Sequence, residues 1–184
     1  DTLRTLYERY EFRTWRRELD APGSAPAVEV STTEAQTEQA QPPAAPSEVH
    51  YETVFSWPQL ETWLSKIEAA ELTALDTETT SLDSFAARIV GISLSVTPGQ
   101  ACYIPLGHTA PGVADQLPID AVLARLTPWL ESAERKKVLQ NAKYDQHVFA
   151  NHGIALAGIA HDTMLQSYVI ESDKGHDLGQ LCTR

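Results

Sequence analysis

Leu72-Thr-Ala-Leu-Asp76-Thr-Glu78-Thr-Thr-Ser-Leu82 is the stretch on which the fold turns. A short apolar run leads into two acids spaced i, i+2, which predicts a strand over Leu72–Thr77 that ends in a carboxylate pair. Side chains two apart on a strand share a face, with Cα atoms about 6.5 Å apart at ~3.3 Å rise per residue. Asp76 and Glu78 therefore converge on one spot while Thr77 faces away. Two carboxylates held together at the end of a buried strand repel unless a divalent cation lies between them. Asp-x-Glu also arises by chance where a strand simply ends in polar residues, so the pair alone leaves both readings open.

Around this stretch, 184 residues suffice for one good-sized domain with an appendage. The net charge of −11 argues against a simple basic nucleic-acid binder. It does not exclude a nuclease, because metal ions neutralise active-site acids and another domain can attract the nucleic acid. No apolar run approaches the ~18 residues of a membrane span, and no signal-peptide pattern is present. Cys102 and Cys182 lie far apart, which suggests neither a disulfide framework nor a zinc site and fits a cytoplasmic location. The chain starts at Asp1 and its one methionine is Met164, so it is expected to be a segment of a longer protein.

Three zones follow. Residues 1–20 place Leu3, Leu6 and Tyr10 at helical spacing, with Tyr7, Phe12 and Trp15 wanting a partner surface. Residues 21–47 hold five prolines and no aromatic, Leu or Ile; they cannot bury enough apolar surface to offset ordering and predict a flexible linker. From residue 48 the pattern is globular. Trp57–Ile67 is a helix with Ser56 as N-cap and Pro58 in its first turn. Strands follow at Leu72–Thr77, Arg88–Val96 and Ala101–Pro105, the last two joined by a Pro98-Gly99 turn as an antiparallel meander. Then come a helix over Ile119–Ala133, a strand over Lys137–Gln140, a helix over Lys143–Asn151 stopped by Gly153, an apolar stretch at Ile154–Ile159 read as a strand, and a helix over Thr163–Glu171. This order predicts a mixed α/β sheet of five strands with helices on both faces.

Gln140-Asn-Ala-Lys-Tyr-Asp145 lies where a strand hands over to a helix, at the sheet edge where α/β folds place their sites. Asp145 can look across at Asp76 and Glu78, with Asn141, Lys143 and Tyr144 as donors for phosphate or sugar. The plainer reading makes Asn141 a cap and Asp145 a solvated acid. Four histidines (His108, His147, His152, His161) show no ligand spacing, Arg135-Lys136-Lys137 reads as a solvated helix end, and Asp162 reads as the cap of the helix that follows it.

Asp76-Thr-Glu78-Thr followed by Asn141-x-Lys143-Tyr144-Asp145 resembles the first two motifs of the 3′→5′ exonuclease domain in the bacterial DNA polymerase I family, the family A polymerases. Asp162-Thr-Met-Leu165-x-Ser167-Tyr168 fits the helix after the second motif, and Tyr10-Glu-Phe12-x-x-Trp15 with its Ala/Pro-rich linker looks like the tail of the family's 5′-nuclease domain. The resemblance implies a ribonuclease-H-like (DnaQ-type) fold at residues 48–184, truncated at its C-terminus. It implies that Asp76 bridges two divalent metals, that Glu78 binds the one that activates water, and that Asp145 acts on the other through water. The implied ions are Mg²⁺ or Mn²⁺, with Zn²⁺ as an option at one site. It implies that Leu82 wedges against a terminal base, that Asn141 and Tyr144 shape the strand-end pocket, and that Lys143 belongs to the substrate-binding set. The implied partners are the single-stranded 3′ end of DNA and the polymerase and 5′-nuclease domains of the same chain, in a bacterial, nucleoid-associated setting without a membrane.

The family also carries a third motif, Tyr-x-x-x-Asp, and this sequence has none; Tyr168 and Asp173 are spaced i, i+5, which turns them apart on a helix. No His stands five residues before an Asp either. The chain by itself is therefore expected to be weakly active or inactive, within a parent that polymerises and edits DNA. A ribonuclease-D-like exonuclease and a non-catalytic structural domain are the competing readings.

Overall fold

The computed structural model describes residues 49–183. The helix and linker expected at 1–20 and 21–47 lie outside those residues. The elements run β1 (His50–Thr53), α1 (Trp57–Ala69), β2 (Leu72–Thr79), β3 (Ile89–Thr97), β4 (Gln100–Pro105), α2 (Ile119–Leu130), β5 (Lys136–Leu139), α3 (Ala142–Ala150), β6 (Ile159–Asp162), α4 (Thr163–Ile170) and α5 (Leu178–Leu181).

One sheet in the order β1-β4-β3-β2-β5-β6 holds them together. The meander β2-β3-β4 is antiparallel, and β5 pairs parallel with β2 and β6. The α/β architecture is as expected, but the sheet has six strands rather than five. The extra one, β1, pairs parallel with β4, and its four residues are too short and too exposed to announce a strand by pattern. The apolar stretch at Ile154–Ile159 is mostly not strand: Ile154 and Leu156 are buried from a connecting segment, Gly158 turns at φ 70°, and β6 begins only at Ile159.

Alternation decides what β2 buries. Thr73, Leu75 and Thr77 point inward, while Ala74, Asp76 and Glu78 are exposed on the other face of this central strand. Leu75 joins Ile92, Ile104, the Leu60–Trp63–Ile67 face of α1, the Val122–Leu126–Trp129 face of α2, and Val148 and Phe149 of α3 in one core. Side chains at i, i+3 and i+4 share a helix face, which is why these positions meet the sheet. The Trp129 indole N–H donates to the Ile67 carbonyl at 3.2 Å and ties α2 to α1. At the start of α1 the Gln59 side chain reaches back to the Ser56 backbone N–H at 3.0 Å, and Pro58 sits where no donor is missed.

Lys137 departs from the solvated reading of the basic run. It is 0 % exposed, because its register opposite Thr73 turns the side chain inward. Its ammonium donates to the Arg135 carbonyl at 2.8 Å and the Ser132 carbonyl at 3.3 Å and lies 4.4 Å from the centre of the Trp129 ring. Burial, with the Arg135 charge adding to it, pulls its pKa down to about 8.

Candidate active site

The site grows from the end of β2. Asp76 and Glu78 stand on the same exposed face, opposite Ser93 and Gly91 of β3. Desolvation raises the Asp76 pKa, and the neighbouring Glu78 charge raises it further. Beside Asp76 the open sheet face forms a hollow of about 240 Å³, lined among others by Ala74, Ser93, Ser95, Gln140 and Thr163.

Asp145 arrives from the other direction. It sits on the first turn of α3 and is 2 % exposed, so it is not a solvated acid. The Thr77 hydroxyl donates to its carboxylate at 2.6 Å, across 68 residues of sequence. Burial lifts its pKa to about 7; the Thr77 bond opposes the rise, and the charges of Asp76 and Asp162 add to it. The two acidic motifs thus meet at Thr77, the residue between the paired acids. Hard carboxylate oxygens are the donors that Mg²⁺ and Mn²⁺ prefer. Asp76 and Glu78 fit that chemistry as a pair. Asp145, oriented toward Thr77, does not close the set: among the described residues no group of three or more His, Cys, Asp or Glu is arranged to hold a metal ion.

The helix start that presents Asp145 is held by Asp162. Asn141 occupies the N-cap with φ 62° and ψ 50°, and its side chain makes no capping bond. The cap comes instead from β6: the N–H groups of Asn141 and Ala142 donate to the Asp162 carboxylate at 3.2 and 2.9 Å. The same carboxylate accepts from Met164 and Leu165 at 3.0 and 3.1 Å. Asp162 caps α4 as its sequence position predicts, and it caps α3 as well.

Tyr144 is half-buried; its hydroxyl contacts the Thr79 hydroxyl and donates to the Ser81 carbonyl at 2.5 Å. Lys143 is exposed, and Leu82 is 98 % exposed on the loop that leaves β2. Tyr103 was not singled out by the sequence, and His108 was read there only as showing no ligand spacing. Tyr103 lies over Gly91, whose missing side chain leaves the room, and bonds His108 at 2.5 Å. Gly91, beneath the phenol, is the register partner of Glu78, which puts Tyr103 beside the acid pair; burial raises the Tyr103 pKa, and the Glu78 charge adds to the rise. Gly91, within a strand otherwise rich in β-branched and apolar residues, was the one sequence signal for this close approach. Of the other histidines, His152 accepts from the Ile89 N–H at 3.2 Å, and His161 contacts Gln166.

A family model described as a 3′-5′ exonuclease matches residues 51–184. DNA polymerase I of Pseudomonas aeruginosa is 41% identical over 187 residues, spanning 100% of this chain and 20% of that protein. DNA polymerase I of Synechocystis sp. is 45% identical over 113 residues, covering 60% of this chain and 11% of that protein. The chain thus spans a fifth or less of the length of these relatives. Among solved structures, the POL domain of Pol1 from M. smegmatis, in complex with DNA primer-template and dNTP, matches with a TM-score of 0.58 at 22% identity, over 72% of this chain and 22% of that one. RNase D of Trypanosoma brucei in complex with RNA U12 matches with a TM-score of 0.51 at 15% identity, over 65% and 39%. At such identities these two likenesses speak for the fold alone.

Proposed function

The chain belongs to the 3′-5′ exonuclease family, and from that membership we propose that it trims single-stranded 3′ ends of DNA as the editing part of a longer, DNA polymerase I-like protein of the bacterial cytoplasm. In this proposal residues 1–20 close a preceding nuclease domain, residues 21–47 link it, and residues 48–184 carry the exonuclease fold. Polymerisation belongs to the rest of that protein.

The observation that carries the reading is the Thr77–Asp145 hydrogen bond, which joins the two acidic motifs at the end of β2. Asp76 and Glu78 would hold divalent cations from the open face, while Asp145, held by Thr77, would act on them through water. Such ions, when bound, supply an activated water and stabilisation of the leaving 3′ oxygen. The protein's own residues do the positioning. Thr77 orients Asp145, Asp162 fixes the helix start beneath it, and Tyr144 pins the Ser81 carbonyl and with it the loop that bears Leu82. Lys143, exposed on the same helix, is a donor for the phosphate backbone. A mispaired terminus needs less unpairing to enter such a site, which makes editing selective.

The Tyr-x-x-x-Asp motif is absent from the sequence, so these 184 residues supply part of the site. Lacking one carboxylate and a water-orienting phenol, the chain alone should be slower than its parent by several orders of magnitude, at ~1.4 kcal/mol per factor of ten. The test is Mg²⁺-dependent degradation of 3′-labelled single-stranded DNA and RNA by the parent protein and its Asp76→Ala variant. Equal, slow digestion of DNA by both would sink the catalytic reading. Faster digestion of RNA would favour the ribonuclease-D-like alternative.

A further inference from the structure

The loop between β2 and β3 presents an aromatic that neither the fold nor the site accounts for. Residues 80–88 leave β2 beside Glu78 and return to β3 at Ile89, whose register partner is Thr79. Both ends of the loop are therefore at the acid end of the sheet. The body of the loop is fastened to one flank of α3, where Tyr144, His147 and Asn151 line up at i, i+3, i+7. Tyr144 donates to the Ser81 carbonyl at 2.5 Å; the Asn151 amide donates to the Ser84 and Ala87 carbonyls at 2.8 and 2.9 Å. Arg88 returns a bond to the Asn151 carbonyl at 2.5 Å, and the Arg88 N–H donates to the Thr80 hydroxyl at 3.0 Å. Side-chain bonds to its main chain, together with Ala87 buried in the core, set this loop.

On that fixed frame Phe85 is 75 % exposed. One face of its ring leans on the His147 imidazole, centroids 4.5 Å apart and tilted by 45°, and His147 lies two residues along α3 from Asp145. Leu82 on the same loop is 98 % exposed as well, so the loop offers two large apolar side chains to solvent at the acid end of the sheet, the kind of exposed apolar surface that marks a binding site. Its surroundings narrow the ligand. Lys143, one helical turn before His147, and Arg88, beside Asn151, are exposed cations on a chain of net charge −11. An exposed apolar ring on a frame that also carries these cations, and Asp83, whose carboxylate accepts from the Phe85 N–H at 3.1 Å, suits a planar ring attached to a phosphate.

We propose that Phe85, backed by His147, is a stacking ledge for an unpaired base of single-stranded DNA one or more nucleotides upstream of the 3′ end. The proposal rests on the exonuclease reading and adds to it the surface that holds the strand. A base stacked on Phe85 stays unpaired while its neighbours lead toward Asp76 and Glu78, and Lys143 and Arg88 attract the backbone. Stacking is sequence-tolerant, because every base has a π-face.

The experiment measures binding and not cleavage. Fluorescently labelled single-stranded oligonucleotides, fully based or carrying one abasic site at each of the last six positions in turn, are titrated with the whole chain in Ca²⁺ buffer. The proteins are wild type, Phe85→Ala and Phe85→Trp. Phe85→Ala should weaken binding roughly tenfold, ~1.4 kcal/mol, and the loss should vanish against the oligonucleotide that lacks the stacked base. Phe85→Trp should bind at least as tightly as wild type, with indole fluorescence quenched by the based strand and not by the matching abasic one. If Phe85→Ala binds every strand like wild type, the ledge is wrong while the exonuclease reading stands; Phe85 would then suit contact with another protein surface. Equal weakening against all strands would mean that Phe85 shapes the loop rather than stacks, and also overturns the proposal. If wild type binds no single strand, the ledge fails, while the exonuclease reading is judged separately by cleavage with the parent protein and its Asp76→Ala variant.

Discussion

The Thr77 hydroxyl donates to the buried Asp145 carboxylate at 2.6 Å, so the residue that faces away from Asp76 and Glu78 is the one that grips the third acid. Asp145 carries a folded-state pKa of about 7 against an ordinary value near 4. Between those values the folded chain holds a proton that the unfolded chain has released, so stability falls as pH rises from about 4 to about 7. Three units correspond to an upper limit of about 4 kcal/mol. Asp145→Asn should remove this dependence and be more stable than wild type at pH 8. Thr77→Val should steepen the decline, because the bond it deletes favours the charged form. Urea unfolding of the three proteins at pH 4.5, 6 and 8 checks both; parallel curves for wild type and Asp145→Asn would contradict the assignment.

Asp162 accepts four backbone N–H groups at the starts of two helices. Removing one cap costs ~1 kcal/mol, so Asp162→Ala should lose roughly 2–3 kcal/mol. Asp162→Asn, with a single acceptor oxygen, should fall between Ala and wild type. Hydrogen exchange should show the first turns of α3 and α4 opening together in the Ala variant. Loss of protection confined to α4 would mean that the contact with α3 contributes nothing.

What could be read from the sequence followed how local each determinant was. The acid pair of β2, the inward Thr77 and the Ser56–Pro58 start of α1 rest on neighbours within four residues, and periodicity exposes such features. Asp162 capping α3 depends on a partner 21 residues away, and Asp145 gripping Thr77 spans 68 residues. No periodicity encodes those distances. Lys137 misled because three consecutive basic residues look solvated, whereas strand alternation opposite Thr73 turns the third inward. β1 stayed invisible because His-Tyr-Glu-Thr has no apolar alternation and gains its strand state from β4 alone. Asn141, Lys143 and Tyr144 were read as donors from their place at the strand-to-helix handover, the wedge role of Leu82 and the pocket role of Asn141 and Tyr144 came from the resemblance, and the geometry adds only where each one stands.

Gly158 and Lys137 share two carbonyls. A Cβ on Gly158 would lie 2.3 Å from the Arg135 carbonyl oxygen and 2.6 Å from that of Ser132, both of which accept from the Lys137 ammonium. Gly158 also has φ 70°. Gly158→Ala therefore combines backbone strain with a clash against main chain and should cost roughly 2–4 kcal/mol. Lys137 sets a separate signature. Its folded pKa of about 8 lies below the ordinary value near 10.5, so the unfolded chain binds more protons between those pH values and stability rises across the window. Lys137→Met should abolish that rise. Thermal melts from pH 7.5 to 10.5 compare the two proteins, and an identical slope would show that Lys137 does not titrate there.

The pair at the end of β2 should reveal itself by opposite signs in two measurements. Burial raises the Asp76 pKa and the Glu78 charge raises it further, so the two carboxylates repel when no ion lies between them. Replacing one with a neutral isostere relieves that repulsion. Because both residues are exposed, screening keeps the gain below ~1 kcal/mol. Glu78→Gln should therefore be as stable as wild type or slightly more so. The same substitution removes a hard anionic donor, and affinity for Mn²⁺ at pH 8 should fall tenfold or more, read by calorimetric titration. Added Mn²⁺ should raise the melting temperature of wild type in step with ligand concentration and leave that of Glu78→Gln nearly unmoved. Acids that merely end a strand would show the small stability change without the loss of metal affinity. A pair kept in repulsion for the sake of an ion shows both.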